Sequence, residues 1–244
     1  MSVVYFYLRH GPKAYNNGKA PTGLPQHDPP ILDSHIQSIR SVGSELIKNH
    51  GQPNMIVMSP YLRVRQTVQE LTFSLTENNK EDEAIKNLYY DMNIAEFLGH
   101  QKGDIDVDPE TLCMKDNNGD IHELPQPGET MEKLKNRVNE HLKMLQITEE
   151  SINTKMKSKS SKGTTIVWIV THGLVISNVY TILKSYSNVK GAYKDTFYPS
   201  ELDYMIVKID KNGANVACIK REKQKLIIKK QFNDNDEEDD LFLI

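Results

Sequence analysis

Residues 2–11 read SVVYFYLRHG, and this stretch decides the fold that the sequence predicts. Positions 2–8 form a nearly continuous run of β-branched, aromatic and aliphatic residues, which is typical of a strand buried on both faces. Such strands lie in parallel sheets that helices cover on both sides. Arg9-His10-Gly11 then follows the strand at its carboxyl end, which is where open α/β sheets bind their ligands.

The rest of the chain supplies further strands and helices for such a sheet. Short apolar segments predict strands at residues 55–58, 88–94, 164–170, 203–209 and 215–220, the last two joined by an Asn212-Gly213 turn. Apolar residues at helical spacing predict helices at residues 61–75, 129–147 and 174–183, and one that has Asp33 as its N-cap and ends before Gly51. This alternation predicts an α/β fold, a three-layer α/β/α sandwich with a mostly parallel central sheet.

The composition of the chain predicts its domain organisation. Residues 1–233 are expected to form one domain, with a Gly-, Asp-, Asn- and Pro-rich excursion or lid at 97–127 and a flexible Lys/Ser loop at 155–162. Residues 234–244 form an acidic tail with six acidic residues and no basic ones. Such a tail is typical of a solvated chain end, and a partner-binding segment is the alternative.

Several classes of protein are disfavoured by the same composition. Hydrophobic content of 38% and charged content of 26% are ordinary for a soluble globular protein, and the apolar runs are too short to cross a membrane. The absence of a signal-peptide pattern and the presence of only two cysteines indicate a cytoplasmic protein. The chain has no aromatic-basic stripe, so nucleic acid is not an expected partner, whereas a homodimer is left open.

Three strand ends carry residues suited to binding an anion. The pair His172-Gly173 follows the strand at 164–170, and Ser-Pro at 59–60 follows the strand at 55–58 and opens a helix that carries Arg63. With Arg9 and His10, these residues are expected at one edge of one sheet. A lone histidine at a strand end is usually a satisfied core or surface residue, but guanidiniums, imidazoles and helix N-termini converging on one point favour phosphate.

These motifs together resemble the histidine phosphatase superfamily, in its phosphoglycerate-mutase-like branch (branch 1). The family pattern matches Arg9-His10-Gly11, the aromatic-Asn pair Tyr15-Asn16, and the sequence Ser-Pro-x-x-Arg-x-x-Gln-Thr at 59–67. It also matches Pro-Gly-Glu-Thr at 127–130 with a later Arg137-Val138, and Thr-His-Gly at 171–173. The resemblance runs in order from residue 3 to about residue 220.

The chain also departs from the family pattern. Pro12 and Lys13 follow the Arg-His-Gly triplet, where the family usually has Glu or Gln. Ile36 and Ile39 stand in the first predicted helix, where the family often has Gly and Gln. Because Pro12 and Lys13 lie next to the predicted site, they affect the expected shape of the substrate entrance.

The resemblance implies a phosphatase that works without a metal or other cofactor. It implies that neutral His10 attacks phosphorus and that water hydrolyses the resulting phosphohistidine. The phosphate is bound by Arg9, Asn16, Arg63, the Gly173 turn and a protonated His172.

The resemblance also places a proton-donating Glu after the third strand, and Glu96 is the candidate general acid; a surface Glu is the alternative. Glu129 suits that role less well, because it fits the first turn of a helix.

Other functions and contacts stay open at this point. A mutase that returns the phosphate to another hydroxyl is one alternative, although residues 97–127 do not resemble a long substrate-covering insertion. A non-catalytic interaction module with the same fold is another. Lys13, Lys19, His27 and His100 are interpreted as solvated loop residues rather than substrate contacts. The substrate is expected to be a phosphorylated small molecule or a phosphoprotein.

Overall fold

Seven strands of the described chain form the central sheet, in the order β3-β2-β6-β1-β8-β9-β7. The computed structural model describes residues 2–15, 19–76, 87–99, 113–115, 121–125, 127–157, 163–187, 189–190, 196–210 and 212–220. The strands are β1 (Ser2–Arg9), β2 (Met55–Met58), β3 (Leu88–Tyr90), β6 (Thr164–Thr171), β7 (Val189–Lys190), β8 (Tyr204–Asp210) and β9 (Gly213–Ile219). Within this sheet β8 alone runs against its neighbours, so the prediction of a mostly parallel sheet is confirmed.

Six α-helices of the described chain accompany the strands. They are α1 (Ile36–His50), α2 (Leu62–Leu71), α3 (Phe73–Thr76), α4 (Met131–Met144), α5 (Glu149–Lys157) and α6 (Gly173–Lys184). Helices α1 and α2 approach closely at Gly43, where a Cβ atom would overlap the carbonyl oxygen of Leu71. Within the described residues, no helix has the length and apolarity that crossing a membrane requires.

The two faces of the sheet bury two separate hydrophobic clusters. Tyr5 and Tyr7 of β1 pack with residues of α4 and α6, whereas Phe6 and Leu8 pack with residues of α1 and α2. This alternation follows from the period of two along a strand. Helices therefore lie on both faces of the sheet, and the predicted three-layer α/β/α sandwich is confirmed.

Some predicted elements differ from those in the structure. Asp33 is not the N-cap of a helix; it begins a 3-10 helix, Asp33–His35, that leads into α1, and no side chain caps either helix. The predicted strand at 88–94 is strand only to Tyr90, because the Asp91 carboxylate accepts a hydrogen bond from the Asn93 N–H and starts a 3-10 helix, Met92–Ile94.

The two predicted loops are also only partly loops. Residues 155–157 belong to α5, which corrects the prediction of a flexible loop beginning at residue 155. The excursion at 97–127 contains a two-stranded antiparallel pair, β4 (Cys113–Lys115) and β5 (Ile121–Glu123). Residues 158–162, much of the excursion and the acidic tail lie outside the described residues. The single-domain organisation stays a prediction.

Candidate active site

The carboxyl ends of β1, β2 and β6 bring the predicted histidines together. His10 follows β1, Ser59 follows β2, and His172 follows β6 as the N-cap residue of α6. The two imidazole rings are 5.2 Å apart between centroids, and His10 and His172 are at most 1% exposed. Arg63, in the first turn of α2, is fully buried beside them. The predicted convergence of strand ends is therefore present.

His10 has one ring nitrogen committed to the backbone. Its Nδ1 lies 2.7 Å from the carbonyl oxygen of Gly11, and because a carbonyl only accepts, we assign the ring proton to Nδ1. Nε2 then carries the lone pair. Burial, followed by the charges of Arg63 and His172, lowers the pKa of His10 well below its usual range. His10 is therefore neutral at neutral pH.

The turn that carries His10 is tied to helix α2. The Gly11 N–H donates to Thr67 Oγ1 at 3.0 Å, and that hydroxyl donates to the Arg63 carbonyl oxygen at 2.6 Å. The Arg63 guanidinium returns toward His10, with its Nε 3.4 Å from His10 Nε2. A short chain of hydrogen bonds thus sets the spacing between His10 and the Arg63 guanidinium.

The Arg63 guanidinium is shared among several acceptors. Nη2 donates to Glu96 Oε2 at 2.8 Å, and Nη1 donates to Asp28 Oδ1 at 3.0 Å and to the His27 carbonyl at 3.1 Å. The predicted general acid therefore lies in the site as an ion-paired carboxylate.

Glu96 lies among three nitrogen-bearing groups. Its Oε2 is also 3.2 Å from His172 Nδ1 and 3.9 Å from Lys13 Nζ. Burial raises the pKa of Glu96, but His172, Arg63 and Lys13 together lower it well below its usual range. In this structure Glu96 is ionised at neutral pH, and its proton-donor role requires a change in its surroundings.

His172 lies between Ser59 and Glu96. Its Nε2 is 2.7 Å from Ser59 Oγ, and its Nδ1 is 3.2 Å from the Glu96 carboxylate and 3.4 Å from Arg63 Nη2. Because the carboxylate contact is the shorter one and a carboxylate only accepts, we assign the proton to Nδ1, and Ser59 then donates to Nε2. The pKa of His172 is lowered to about 4, chiefly by burial. The Glu96 carboxylate raises this pKa, and the Arg63 guanidinium lowers it. The expected protonated form is therefore not the form in this structure.

Arg9 lies over Gly173 at the start of α6. Its Nη1 donates to the Pro199 carbonyl at 2.7 Å and its Nη2 to Glu201 Oε1 at 2.9 Å. A Cβ on Gly173 would lie 3.4 Å from three atoms of the Arg9 side chain. The buried Arg9 Nε has no hydrogen-bond partner among the described residues, which leaves one donor for a ligand.

The segment that carries Glu96 is fixed by Arg137 of α4. Arg137 donates to the backbone carbonyls of Asn93 and Ala95, each at 2.8 Å, and to that of Glu96 at 3.3 Å. Its guanidinium also pairs with both carboxylate oxygens of Glu129, at 2.6 and 3.0 Å. Thr130 is the N-cap of α4, so Glu129 lies before the helix and not in its first turn, where the sequence predicts it. Glu129 is instead the ion-pair partner of Arg137.

A cavity of about 240 Å³ lies above His10. Arg9, Glu96 and Gly173 also line it, whereas Arg63 and His172 are fully buried next to Glu96. The described lining residues are Arg9, His10, Lys13, Tyr15, Gln26, His27, Glu96, Phe97, Leu98, Gly173, Leu174 and Tyr198.

One group of side chains has the composition of a metal site. His10, Glu96 and His172 offer ligand atoms that lie within 4.8 Å of one another. The Arg63 guanidinium, however, contacts all three of them, at 3.4, 2.8 and 3.4 Å. A cation there would meet a fixed positive charge at contact distance, so the cluster favours an anion. The absence of a metal cofactor stays a prediction.

The remaining predicted residues have mixed outcomes. Asn16 and His100 lie outside the described residues, and Lys19 is exposed. Lys13 and His27, interpreted from sequence as solvated loop residues, line the cavity instead, because the loop after β1 folds back over the site.

Sequence reasoning missed Asp28. Its carboxylate accepts the Leu62 N–H at 2.8 and 2.9 Å, so it caps α2 and pairs with Arg63 from 34 and 35 residues away. The sequence does contain one signal for such a residue. The helix that starts at residues 59–62 has no capping side chain of its own, so its free N–H groups require an acceptor from elsewhere in the chain.

The model of the histidine phosphatase superfamily (branch 1) matches residues 5–220. The chain therefore belongs to the histidine phosphatase superfamily, whose members are phosphatases and mutases. In sequence comparison, no curated relative of the chain reaches significance.

Solved structures of similar fold include YhfR from Bacillus stearothermophilus, 18% identical with a TM-score of 0.54, covering 88% of this chain and 96% of that one. A mycobacterial glucosyl-3-phosphoglycerate phosphatase is 17% identical with a TM-score of 0.53, covering 90% and 99%. The alpha-ribazole phosphatase from Shigella flexneri is 15% identical with a TM-score of 0.54, covering 88% and 95%. At these identities the structures support the phosphoglycerate-mutase-like fold alone.

Proposed function

We propose that this protein is a phosphatase that hydrolyses phosphomonoesters through a phosphohistidine intermediate on His10. The state of His10 carries the proposal. Its ring is buried and neutral, its Nδ1 proton is donated to Gly11 at 2.7 Å, and its Nε2 lone pair lies beside Arg63. A neutral imidazole with its lone pair next to a guanidinium suits in-line attack on a phosphate.

Phosphate binding would exchange one anion for another. The substrate dianion takes over the contacts that Glu96 makes with Arg63 and His172, and the Arg9 Nε–H donates to a phosphate oxygen. A dianion in that place raises the pKa of Glu96 and of His172, because it repels the carboxylate and attracts a protonated imidazole. Substrate binding thereby prepares a protonated Glu96 and a cationic His172. Asn16 stays a predicted additional phosphate contact.

The first chemical step transfers the phosphoryl group to the enzyme. A bond forms between His10 Nε2 and phosphorus while the bond between phosphorus and the ester oxygen breaks. The leaving oxygen takes the proton of Glu96, so the alcohol departs neutral and Glu96 becomes a carboxylate. The arginines stabilise the charge on the three equatorial oxygens throughout.

The second step frees His10 and restores the protonated Glu96 of the substrate complex, and release of phosphate then lets Glu96 and His172 give up the protons that they gained on binding. Water attacks phosphorus, and its proton passes to the Glu96 carboxylate. The bond between phosphorus and Nε2 breaks, and its electron pair returns to the nitrogen. The products are the alcohol and inorganic phosphate, and all charge neutralisation comes from side chains of the chain itself.

The proposal is tested with purified protein and p-nitrophenyl phosphate in buffer that contains a chelator. We expect hydrolysis that His10→Ala abolishes, while His50→Ala, a change of an exposed histidine at the end of α1, leaves it intact. A phosphoryl label on the protein should be acid-labile and base-stable, as expected of phosphohistidine. Label that persists in His10→Ala would remove His10 from the nucleophile role.

The mutase alternative has its own outcome in the same assay. Phosphoglycerate isomerised without release of phosphate would show that the phosphoryl group returns to substrate and not to water. The substitution of His10 would abolish that reaction as well, so the products distinguish the two activities.

A further inference from the structure

The cavity above His10 has a polar base and an aromatic rim. The base contains Arg9, His10, Lys13 and Glu96, which surround the proposed phosphate position. The other apolar lining residues, which we call the rim, are Tyr15, Phe97 and Tyr198 together with Leu174 and the buried Leu98. The three aromatic residues come from three separate segments of the chain, so their common position at one opening is a property of the fold and not of local sequence.

The two rim tyrosines are exposed to solvent. Tyr15 is 43% exposed and Tyr198 is 59% exposed, although both lie next to a buried catalytic histidine. Grouped exposed apolar surface in a soluble domain marks a place where something binds. The Tyr15 hydroxyl donates to the Gln26 carbonyl at 3.4 Å, and the Lys13 ammonium lies 5.9 Å from the Tyr15 ring centroid. These contacts connect the Tyr15 side chain to two other lining residues of the cavity.

Phe97 is positioned in a similar way by its own segment. It follows Glu96 directly, and its ring lies over Gly99, where a Cβ atom would overlap the ring. Arg137 donates to the carbonyl oxygen of Glu96, the residue directly before Phe97, and so holds the backbone from which the Phe97 side chain extends. The aromatic wall and the proposed proton donor are thus placed by the same short segment.

The charges of the cavity argue against a second anionic group on the substrate. Among the described lining residues, Arg9 and Lys13 carry the permanent positive charges. Arg9 is paired with Glu201 at 2.9 Å and Lys13 lies 3.9 Å from Glu96, and both are at the phosphate end. A carboxylate or second phosphate beside Tyr15 and Tyr198 would lose hydration and, among the described lining residues, would find only Gln26 and His27 as further polar side chains.

The volume of the cavity sets the size of the ligand. Sites for drug-sized ligands are roughly 300–1,000 Å³. At about 240 Å³ the described cavity has room for a phosphate and one ring, which favours a compact ester.

We infer that the substrates are compact phosphomonoesters whose alcohol side carries an aromatic ring, which stacks among Tyr15, Phe97 and Tyr198 while the phosphate lies against Arg9 and His10. This inference rests on the proposed phosphatase function and adds the substrate class to it. Aromatic pairs contribute about 0.5–1.5 kcal/mol beyond the burial of their area, which corresponds to about 2- to 12-fold in kcat/KM.

The test compares benzyl phosphate with cyclohexylmethyl phosphate. The two esters have the same charge, nearly the same size and the same type of primary alcohol as leaving group, and they differ in aromaticity. We expect kcat/KM to be several-fold higher for benzyl phosphate, and glycerol 3-phosphate to be the poorest of the three. Tyr198→Leu and Tyr15→Leu should each bring the benzyl to cyclohexylmethyl ratio closer to one. Tyr89→Leu, a change of an exposed tyrosine in β3 outside the cavity lining, should leave the ratio unchanged.

The outcomes separate this inference from the function on which it rests. Efficient hydrolysis of glycerol 3-phosphate, with no preference for benzyl phosphate, would overturn the substrate class and leave the phosphatase proposal intact. If no ester is hydrolysed, the phosphatase proposal fails, and thermal shifts with benzylphosphonate and cyclohexylmethylphosphonate still test the ligand class. Equal shifts from the two phosphonates would overturn it.

Discussion

We expect ligand binding to depend on pH through Glu96. In this structure its carboxylate is ionised, since His172, Arg63 and Lys13 outweigh the effect of burial on its pKa, and His172 has a pKa of about 4. A bound dianion raises both values, so the complex carries more protons than the free protein. Binding therefore takes up protons, and the affinity for an oxyanion rises as the pH falls.

We predict that tungstate binds more tightly at about pH 6.5 than at about pH 8, measured as Kd by titration calorimetry. Calorimetry in buffers of different ionisation enthalpy gives the number of protons taken up. Glu96→Gln should reduce that number and should tighten binding at the higher pH, since no carboxylate then competes for Arg63. Affinity that is independent of pH in the unsubstituted protein would contradict this account of the site.

Arg137 joins helix α4 to the segment that ends in Glu96. It donates to three backbone carbonyls and pairs with Glu129, and both side chains of the pair are largely buried, at 13% and 6% exposure. The proposed proton donor thus owes its position to a helix on which it does not lie. Arg137 is a positioning residue.

We predict that Arg137→Met lowers the free energy of unfolding by about 3 kcal/mol, because Glu129 is left as a buried charge without its partner. It should also lower kcat more than it raises KM, since the misplaced Glu96 fails as an acid while the phosphate contacts of His10 and Arg9 persist. Denaturant unfolding and steady-state kinetics measure the two effects.

The matched control is Lys143→Met, which removes a cation from the same helix. Lys143 and its partner Glu140 are 62% and 59% exposed, and an exposed pair contributes little. The Lys143→Met variant should have the same stability and the same kinetic constants as the unsubstituted protein. If Arg137→Met likewise leaves the free energy of unfolding and kcat unchanged, the positioning role of Arg137 is contradicted.

Elements and site residues differ in how readily the sequence predicts them. Strands β1, β2 and β6 are buried on both faces, so each leaves a continuous apolar run, and His10 and His172 follow directly from their ends. The strand at 88–94 was predicted too long, because Asp91 redirects the backbone through a local hydrogen bond. The roles of Asp28 and Arg137 depend on partners 34 to 44 residues away, which periodicity does not report.

Anion binding also acts on the stability of the whole molecule. A ligand that binds only the folded state stabilises it by about 2.7 kcal/mol at a concentration of 100 times Kd. For a domain of this size each kcal/mol raises Tm by about 2–4 °C. The interaction-module alternative predicts no such effect.

We predict that saturating tungstate raises Tm by about 5–10 °C in scanning calorimetry. Arg63→Met should abolish most of that rise, whereas Arg40→Met should preserve it. Arg40 is a fair control because it is an ion-paired arginine of α1 that pairs with Glu70 of α2 outside the site. An unsubstituted protein that tungstate does not stabilise would support the interaction module.

The hydroxyl of Thr67 links the turn after β1 to the first turn of α2. Because Gly11 and Arg63 are bound to this one side chain, we expect a shift of α2 to carry the turn of His10 along with the guanidinium. This link should keep His10 and the guanidinium aligned through small displacements of the helix. On heating, catalysis should persist at nearly full efficiency per folded molecule and then vanish together with the tertiary structure, with no intermediate range of gradual misalignment.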